Sequence, residues 1–327
     1  MARIFIDGFE SAPDAGTQLW EGWSGNNESL PDAAAGGFTG SYYMHFPESA
    51  GAAKYIPECS SIYIGVLQAP RPSTIIRFFG GSSHAVLQGW VSITIGADQI
   101  GVHNNQTGGG FDHVYNYTAG SKDHIQVYFE NIDDTDKNVK VKLNDVEIID
   151  YNLTNPVADK DKTTAISISA GSGVGEYHAY VDDVVIDDAE WPGISEIYGM
   201  SPSANGTTTD WVASSGENYQ AVDEVPATEV DWVSSATPAA VDIYESDTPL
   251  QGDEDVKSVQ AQYYVEGNSY FQPCISSGET THYGPQISGE SLIVPHCTSQ
   301  IWENNPISSG EWSVLDIDRM KTGMRLV

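Results

Sequence analysis

Basic residues are scarce in this chain. Of 327 residues only 14 are Lys or Arg, against 46 Asp or Glu, which gives a formal charge of −32. Such a chain repels phosphate backbones and anionic bilayer surfaces, so nucleic acid and membrane are excluded as partners. Long apolar runs are also missing: none reaches the roughly 18 residues a membrane-spanning helix requires. The opening Met1-Ala2-Arg3-Ile4-Phe5-Ile6-Asp7 turns acidic before an apolar stretch of signal-peptide length develops. The sequence therefore predicts synthesis in a cytoplasm without export by that route. Cysteine is limited to Cys59, Cys274 and Cys297. With no Cys-x-x-Cys and no zinc-finger spacing of Cys and His, these read as reduced thiols. His296-Cys297 reads as a strand end, because neighbouring side chains on a strand point to opposite faces and do not converge.

Enzyme signatures are absent as well. Gly-x-Ser-x-Gly does not occur, and Ser172 in Ala170-Gly171-Ser172-Gly173 lies between strands without a nucleophile elbow. His-Glu-x-x-His and the phosphate-binding Gly-x-x-x-x-Gly-Lys-Ser/Thr are missing too. Helical periodicity is almost absent. What the chain does have is 40% hydrophobic and 10% aromatic residues, enough to build cores despite the charge. These fall in short apolar or alternating runs bounded by Gly, Ser, Asn, Asp and Pro, the pattern of an all-β protein.

The runs predict strands over Arg3–Ile6, Ser41–Phe46, Ile62–Leu67, Thr74–Phe79, Val86–Ile95 and His124–Glu130. Further runs are Val139–Leu143, Glu147–Tyr151, Ala165–Ala170 and Tyr177–Ile186. Asn144-Asp145 is expected to close a two-residue hairpin turn, since both residue types tolerate left-handed backbone angles. The acidic Asp133-Asp134-Thr135-Asp136 reads as a solvated hairpin tip: it lacks the Gly and distal Glu of an EF-hand loop. Acidic loops are plentiful enough for calcium, but none has a full ligand pattern, so no cofactor or metal is expected.

A boundary near Trp191-Pro192-Gly193 divides the chain into residues 1–192 and 193–327, each of ordinary domain length. Ile194–Asp210 is small, polar and turn-prone. Short strands then resume over Thr209–Ala213, Tyr219–Val222, Trp232–Ser234, Ala240–Glu245, Ser258–Val265, Ser269–Ile275, Ser291–Pro295 and Ser299–Glu303. The expected architecture is two β-sandwich domains. One short helix is expected at Ser313–Gly323, with Ser313 as cap, Asp316 three residues on and Gly323 as stop, followed by an edge strand at Met324–Val327.

The first part of the chain resembles the concanavalin A-like (laminin-G-like) jelly rolls of tailed-phage and prophage structural proteins. The matching residues are Ile6-Asp7-Gly8-Phe9-Glu10, the His124–Tyr151 hairpins and the strand from Tyr180-Val181-Asp182-Asp183 to Asp187-Asp188. The second part is similar to the C-terminal domain of such virion proteins. The matches are Thr208-Thr209-Asp210-Trp211, Asn218 to Pro226, Asp231-Trp232-Val233-Ser234, Asp242-Ile243-Tyr244, Ile301-Trp302-Glu303-Asn304-Asn305-Pro306 and Trp312-Ser313. The resemblance implies a non-enzymatic component of a tailed-virus particle: a capsid decoration, neck or tail-fibre subunit. It would be a homo-oligomer whose partners are other virion proteins, with the C-terminal domain docking on the particle. Jelly rolls can also be glycosidases, with two carboxylates about 5–10 Å apart. The Glu-x-Asp-x-x-Glu-type strand by which those enzymes resemble one another is absent, so a secreted glycoside hydrolase is disfavoured and no catalytic residue is expected.

The functional alternative is a glycan-binding module for host attachment. Sugars stack on aromatic rings and bond to Asn, Asp and Gln. The segment from His103 to Tyr117 has that composition around three glycines, and singles out Asn105, Gln106, Phe111, Asp112, His113 and Tyr115. The same segment also reads as a connecting loop whose Phe111, Tyr115 and Tyr117 cap the core. Trp20 and Trp23 read as core rather than as a stacking platform, the other reading open to them. Between Thr163 and Asp318 the only basic residue is Lys257. That acidity fits either solubility in a high-salt medium or an interface with a basic partner.

Overall fold

In a computed structural model, the structure describes residues 3–7, 23–26, 32–35, 42–46, 51–68, 73–80, 86–94, 99–103, 111–118, 122–131, 136–154, 162–170, 179–224, 230–250, 252, 254–267, 269–288 and 292–327. The chain divides into two compact units, residues 1–197 and 198–327.

The first unit holds fifteen strands among the described residues. In chain order they are β1 (Arg3–Asp7), β2 (Trp23–Asn26), β3 (Asp32–Ala35), β4 (Tyr42–Phe46) and β5 (Gly51–Cys59). Next come β6 (Ser61–Gln68), β7 (Ser73–Gly80), β8 (Val86–Thr94), β9 (Gln99–His103) and β10 (His113–Asn116). The last five are β11 (Asp123–Asn131), β12 (Asp136–Leu143), β13 (Val146–Thr154), β14 (Thr163–Ala170) and β15 (Ala179–Asp187). They form two antiparallel sheets. One runs β13-β12-β11-β6-β15-β4-β3 with β1 also on β15; the other runs β10-β9-β8-β7-β14-β5-β2.

Alternation builds the core between the sheets. Ile62, Ile64 and Val66 of β6 and Ile125, Val127 and Phe129 of β11 are fully buried from one side, Ile76 and Phe78 of β7 from the other. The Phe78 and Phe129 rings stack across the layers, centroids 4.4 Å apart and 8° from parallel. Burying each such ring contributes about 2–3 kcal/mol. Asn144 and Asp145 both take positive φ (48° and 67°) and join β12 to β13 with Leu143 opposite Val146, the expected two-residue turn. The Asp133–Thr135 tip, Asn105, Gln106, Ser172 and Trp20 lie outside the described residues, as do the side chains of Trp23, His296 and Cys297.

A strap follows β15 across the outer face of the first sheet. Trp191 packs on Tyr63 (5.3 Å) and Tyr128 (6.1 Å), with the Lys142 ammonium 4.4 Å from its ring centre. Gly193 N donates to Gln126 Oε1 (2.9 Å) and Ile197 N to Asp183 Oδ1 (3.0 Å). The expected boundary after Pro192 thus falls inside a segment that the first unit holds through Ile197.

The second unit continues with β16 (Pro202–Thr209), β17 (Val212–Ala213), β18 (Val233–Ser234), β19 (Val241–Ser246), β20 (Val259–Gly267) and β21 (Tyr270–Ser277). Then come β22 (Thr280–Tyr283), β23 (Ile287–Ser288), β24 (Leu292–Trp302), helix α1 (Val314–Arg319) and β25 (Lys321–Leu326). A six-stranded sheet runs β16-β19-β25-β21-β22 with β23 on β21; β20-β24 and β17-β18 are separate two-stranded ladders. The core gathers Ile275, Trp302, Trp312, Ile317 and Met320. The all-β class with one short terminal helix is as the sequence implies.

Several local expectations are corrected. Tyr219–Ala221 is a turn of 3-10 helix, not a strand. The turn-prone stretch Ile194–Asp210 contains β16, and the two strands expected between Ser291 and Glu303 are one. The capping box of Ser313 and Asp316 is present, but the helix stops at Arg319. Gly323 is no helix stop: it lies within β25, between β19 and β21, where an added Cβ would fall 2.0 Å from Asp242 O. The expected edge strand is therefore a central one, and the glycine serves close backbone approach.

Candidate functional site

The segment expected to be a loop is in part a strand. β10 pairs with β9, placing His113 opposite Val102 and Tyr115 opposite Ile100. Ile100 and Val102 are fully buried on the inner face, so His113 and Tyr115 also point inward. They remain exposed because β10 ends its sheet, just as β13 ends the other. At this open margin the His113 ring stacks on Tyr151 of β13, centroids 5.1 Å apart and 21° from parallel. Tyr115 is 37% exposed; Tyr117, two residues further along the same row, belongs to the core. On the outer face, Asn116 Oδ1 accepts from Gln99 Nε2 (3.0 Å).

Phe111 lies elsewhere. Its ring covers Gly101 so closely that a Cβ there would sit 1.8 Å from Phe111 Cδ1, and it packs on His103 (centroids 4.3 Å apart). Gly101 alternates with Ile100 and Val102, so Phe111 occupies the outer face. Asp112 N donates to Val102 O (2.9 Å). Phe111 and Asp112 are thereby fastened to β9 just ahead of β10. The structure brings His113 and Tyr115 together and adds Tyr151, which sequence reading registers only as a strand residue. It sets Phe111 on the opposite face.

A second aromatic group, Tyr63, Tyr128 and Trp191, is engaged in holding the strap. Burial pushes both tyrosine hydroxyls up from their ordinary values, with Glu130 adding to the effect. Beneath the strap lies His124, buried beside Gly65 and Pro192 with Nδ1 unpartnered. Burial lowers its pKa to about 4, against a smaller opposing pull from Asp145. Among the described residues no group of three or more His, Cys, Asp or Glu could hold a metal ion.

In the second unit the motif residues form a hydrogen-bonded scaffold. Asn218 Nδ2 donates to Trp211 O (2.9 Å) and to both oxygens of the fully buried Asp242 (3.1 and 2.8 Å). Tyr244 Oη donates to Asp242 Oδ2 (2.5 Å), and Trp211 Nε1 to Ala240 O (3.2 Å). Burial raises the Asp242 pKa, while Tyr244 and Asn218 partly restrain it. These side chains are spent on one another and on backbone.

No protein-family model and no curated protein matches the chain. Solved structures that are similar include alginate lyase Aly36B, 11% identical over 49% of this chain and 88% of the lyase, with a TM-score of 0.35. Another is lectin I-B4 from Griffonia simplicifolia, at 8% over 57% and 99% with a TM-score of 0.35. A third is a carbohydrate esterase from the Shiga toxin-encoding bacteriophage phi24B, at 11% over 52% and 91% with a TM-score of 0.37. The expectation of a non-enzymatic chain is corrected here, because a lyase and an esterase stand among these structures. At these identities and TM-scores the likeness adds nothing to the all-β sheet architecture already described.

Proposed function

We propose that this chain is a glycan-binding structural component of a tailed-virus particle. Its first unit takes a sugar at the margin formed by His113, Tyr115 and Tyr151, and its second unit fastens the chain to other virion proteins as part of a homo-oligomer. The glycan reading is supported by one observation above all. His113 and Tyr115 are exposed aromatic side chains on one face of a short edge strand, and the Gly101–Phe111 packing behind them makes the platform rigid before any ligand arrives. Flat exposed rings suit a sugar, whose apolar face stacks on them while its hydroxyls bond outward. The virion reading is supported by the second-unit motifs and their resemblance to virion proteins.

The test is a glycan array followed by titration of the full chain with the best-bound oligosaccharide. Tyr115→Ala and His113→Ala should each weaken binding about tenfold, the loss of roughly 1.4 kcal/mol, with melting unchanged. Phe111→Ala should lower the melting temperature instead. Undiminished binding in both edge variants sinks the site. Product release is followed in the same titrations, so that turnover is seen if it occurs. Immunogold labelling of intact particles tests the virion reading separately.

A further inference from the structure

In the second unit, the β17-β18 ladder carries large apolar side chains on an exposed face. Val212 pairs with Ser234 and Ala213 with Val233. Ser214 N donates to Trp232 O (2.8 Å), and Trp232 N donates to Ser214 Oγ (3.0 Å), so the ladder continues to Trp232. Alternation turns Ala213 and Val233 toward the body of the unit and leaves Val212 and Trp232 diagonal neighbours on the outer face. Val212 is 68% exposed and Trp232 55%; Val230, two residues before Trp232, is 83% exposed. The ladder is fixed from behind, since the Asn218–Trp211–Ala240 bonds anchor the residue preceding β17. Burying a Trp so exposed favours an interface.

The surroundings say what kind of partner fits. From Tyr198 to Val256 the sequence has twelve Asp or Glu and no Lys, Arg or His. Asp210 and Asp231 immediately precede Trp211 and Trp232. At this face a second copy would bring the same acidic stretch and is repelled, and so is an anionic glycan, which leaves any contact between copies to other surfaces. A neutral glycan finds one ring among branched aliphatics, with the Ser214 hydroxyl on that face already engaged by Trp232 N and Ser234 the remaining hydroxyl. A protein surface with an apolar socket and a basic rim matches both features.

We propose that the Val212–Val230–Trp232 face is the surface through which the second unit docks on a basic protein of the particle. This rests on the reading of the chain as a virion component. The full chain is expressed in the particle-producing culture as wild type, as Trp232→Ser, as the pair Val212→Ser and Val230→Ser, and with a benzophenone side chain replacing Val230. Purified particles are then assayed. Wild type should be incorporated, and both serine variants should fall below about a tenth of its copy number with melting unchanged. The benzophenone should yield an adduct with a polypeptide of net positive charge. Full incorporation of either properly folded variant overturns the docking surface and leaves the virion reading standing. Wild type missing from the particles overturns both. An adduct with polysaccharide or with a second copy of this chain overturns the basic-protein partner.

Discussion

His124 makes the first unit sensitive to acid in a window that can be worked out beforehand. The residue is 3% exposed and its ring lies against Gly65, with Asp145 the charged group that favours its protonation. Burial outweighs that carboxylate and holds the imidazole pKa near 4, against 6.5 for the free side chain. Between those values the unfolded chain binds a proton that the folded chain refuses. Stability conferred by neutral His124 is therefore complete above about pH 6.5 and declines as pH falls through the window. At roughly 1.4 kcal/mol per pH unit the loss amounts to about 3 kcal/mol by pH 4. Carboxylates titrate there too, so the measurement is a difference. Urea unfolding of wild type and His124→Leu is compared from pH 7.5 to pH 4, since leucine keeps the bulk and removes the proton. The gap should move about 3 kcal/mol in the variant's favour over that range, and the imidazole should titrate near pH 4 by NMR. Parallel stability curves, or an imidazole titrating near 6.5, would refute the reasoning.

The remaining expectations concern packing, backbone approach, polar burial and thiol chemistry. Phe78→Ala should cost about 3–5 kcal/mol, because it empties half of the stacked pair between the sheets; denaturant titration checks it. Gly323→Ala should unfold the second unit at temperatures where the first survives, seen as a separate calorimetric transition, since the new Cβ collides with Asp242 O. Asp242→Ala should destabilise that unit by about 2–5 kcal/mol, as the Asn218 amide and the Tyr244 hydroxyl lose their acceptor. Cys59 and Cys274, whose thiols burial pushes up to about 12, should resist iodoacetamide in the folded chain at pH 8 and react on unfolding, as read by mass spectrometry.

What was legible in the sequence depended on whether the deciding interaction was local. The β12-β13 hairpin was legible because Asn144-Asp145 carries its own backbone preference and fixes the register without help from the rest of the chain. The Ser313–Asp316 capping box was legible for the same reason. β10 was not: His113–Asn116 has too few apolar residues to read as a strand, and becomes one because Phe111 folds over Gly101 and offers the chain to the edge of β9. Gly323 misled in the other direction. A glycine after an amphipathic stretch is a good local stop signal, yet here the glycine is required by the carbonyl of Asp242, eighty-one positions earlier in the chain. The margin shows the limit most plainly. His113, Tyr115 and Tyr151 stand in separate segments, and only closure of the sandwich, with both sheets ending at the same side, puts His113 on Tyr151. Reading composition alone groups Phe111 with Tyr115. Packing of Phe111 over Gly101, ahead of β10, sets the two on opposite faces, so a platform for a sugar at this margin must be built on residues from both sheets rather than on one loop. Its affinity should accordingly fall when Tyr151 is removed, although no feature of the sequence around Tyr151 marks it as a binding residue.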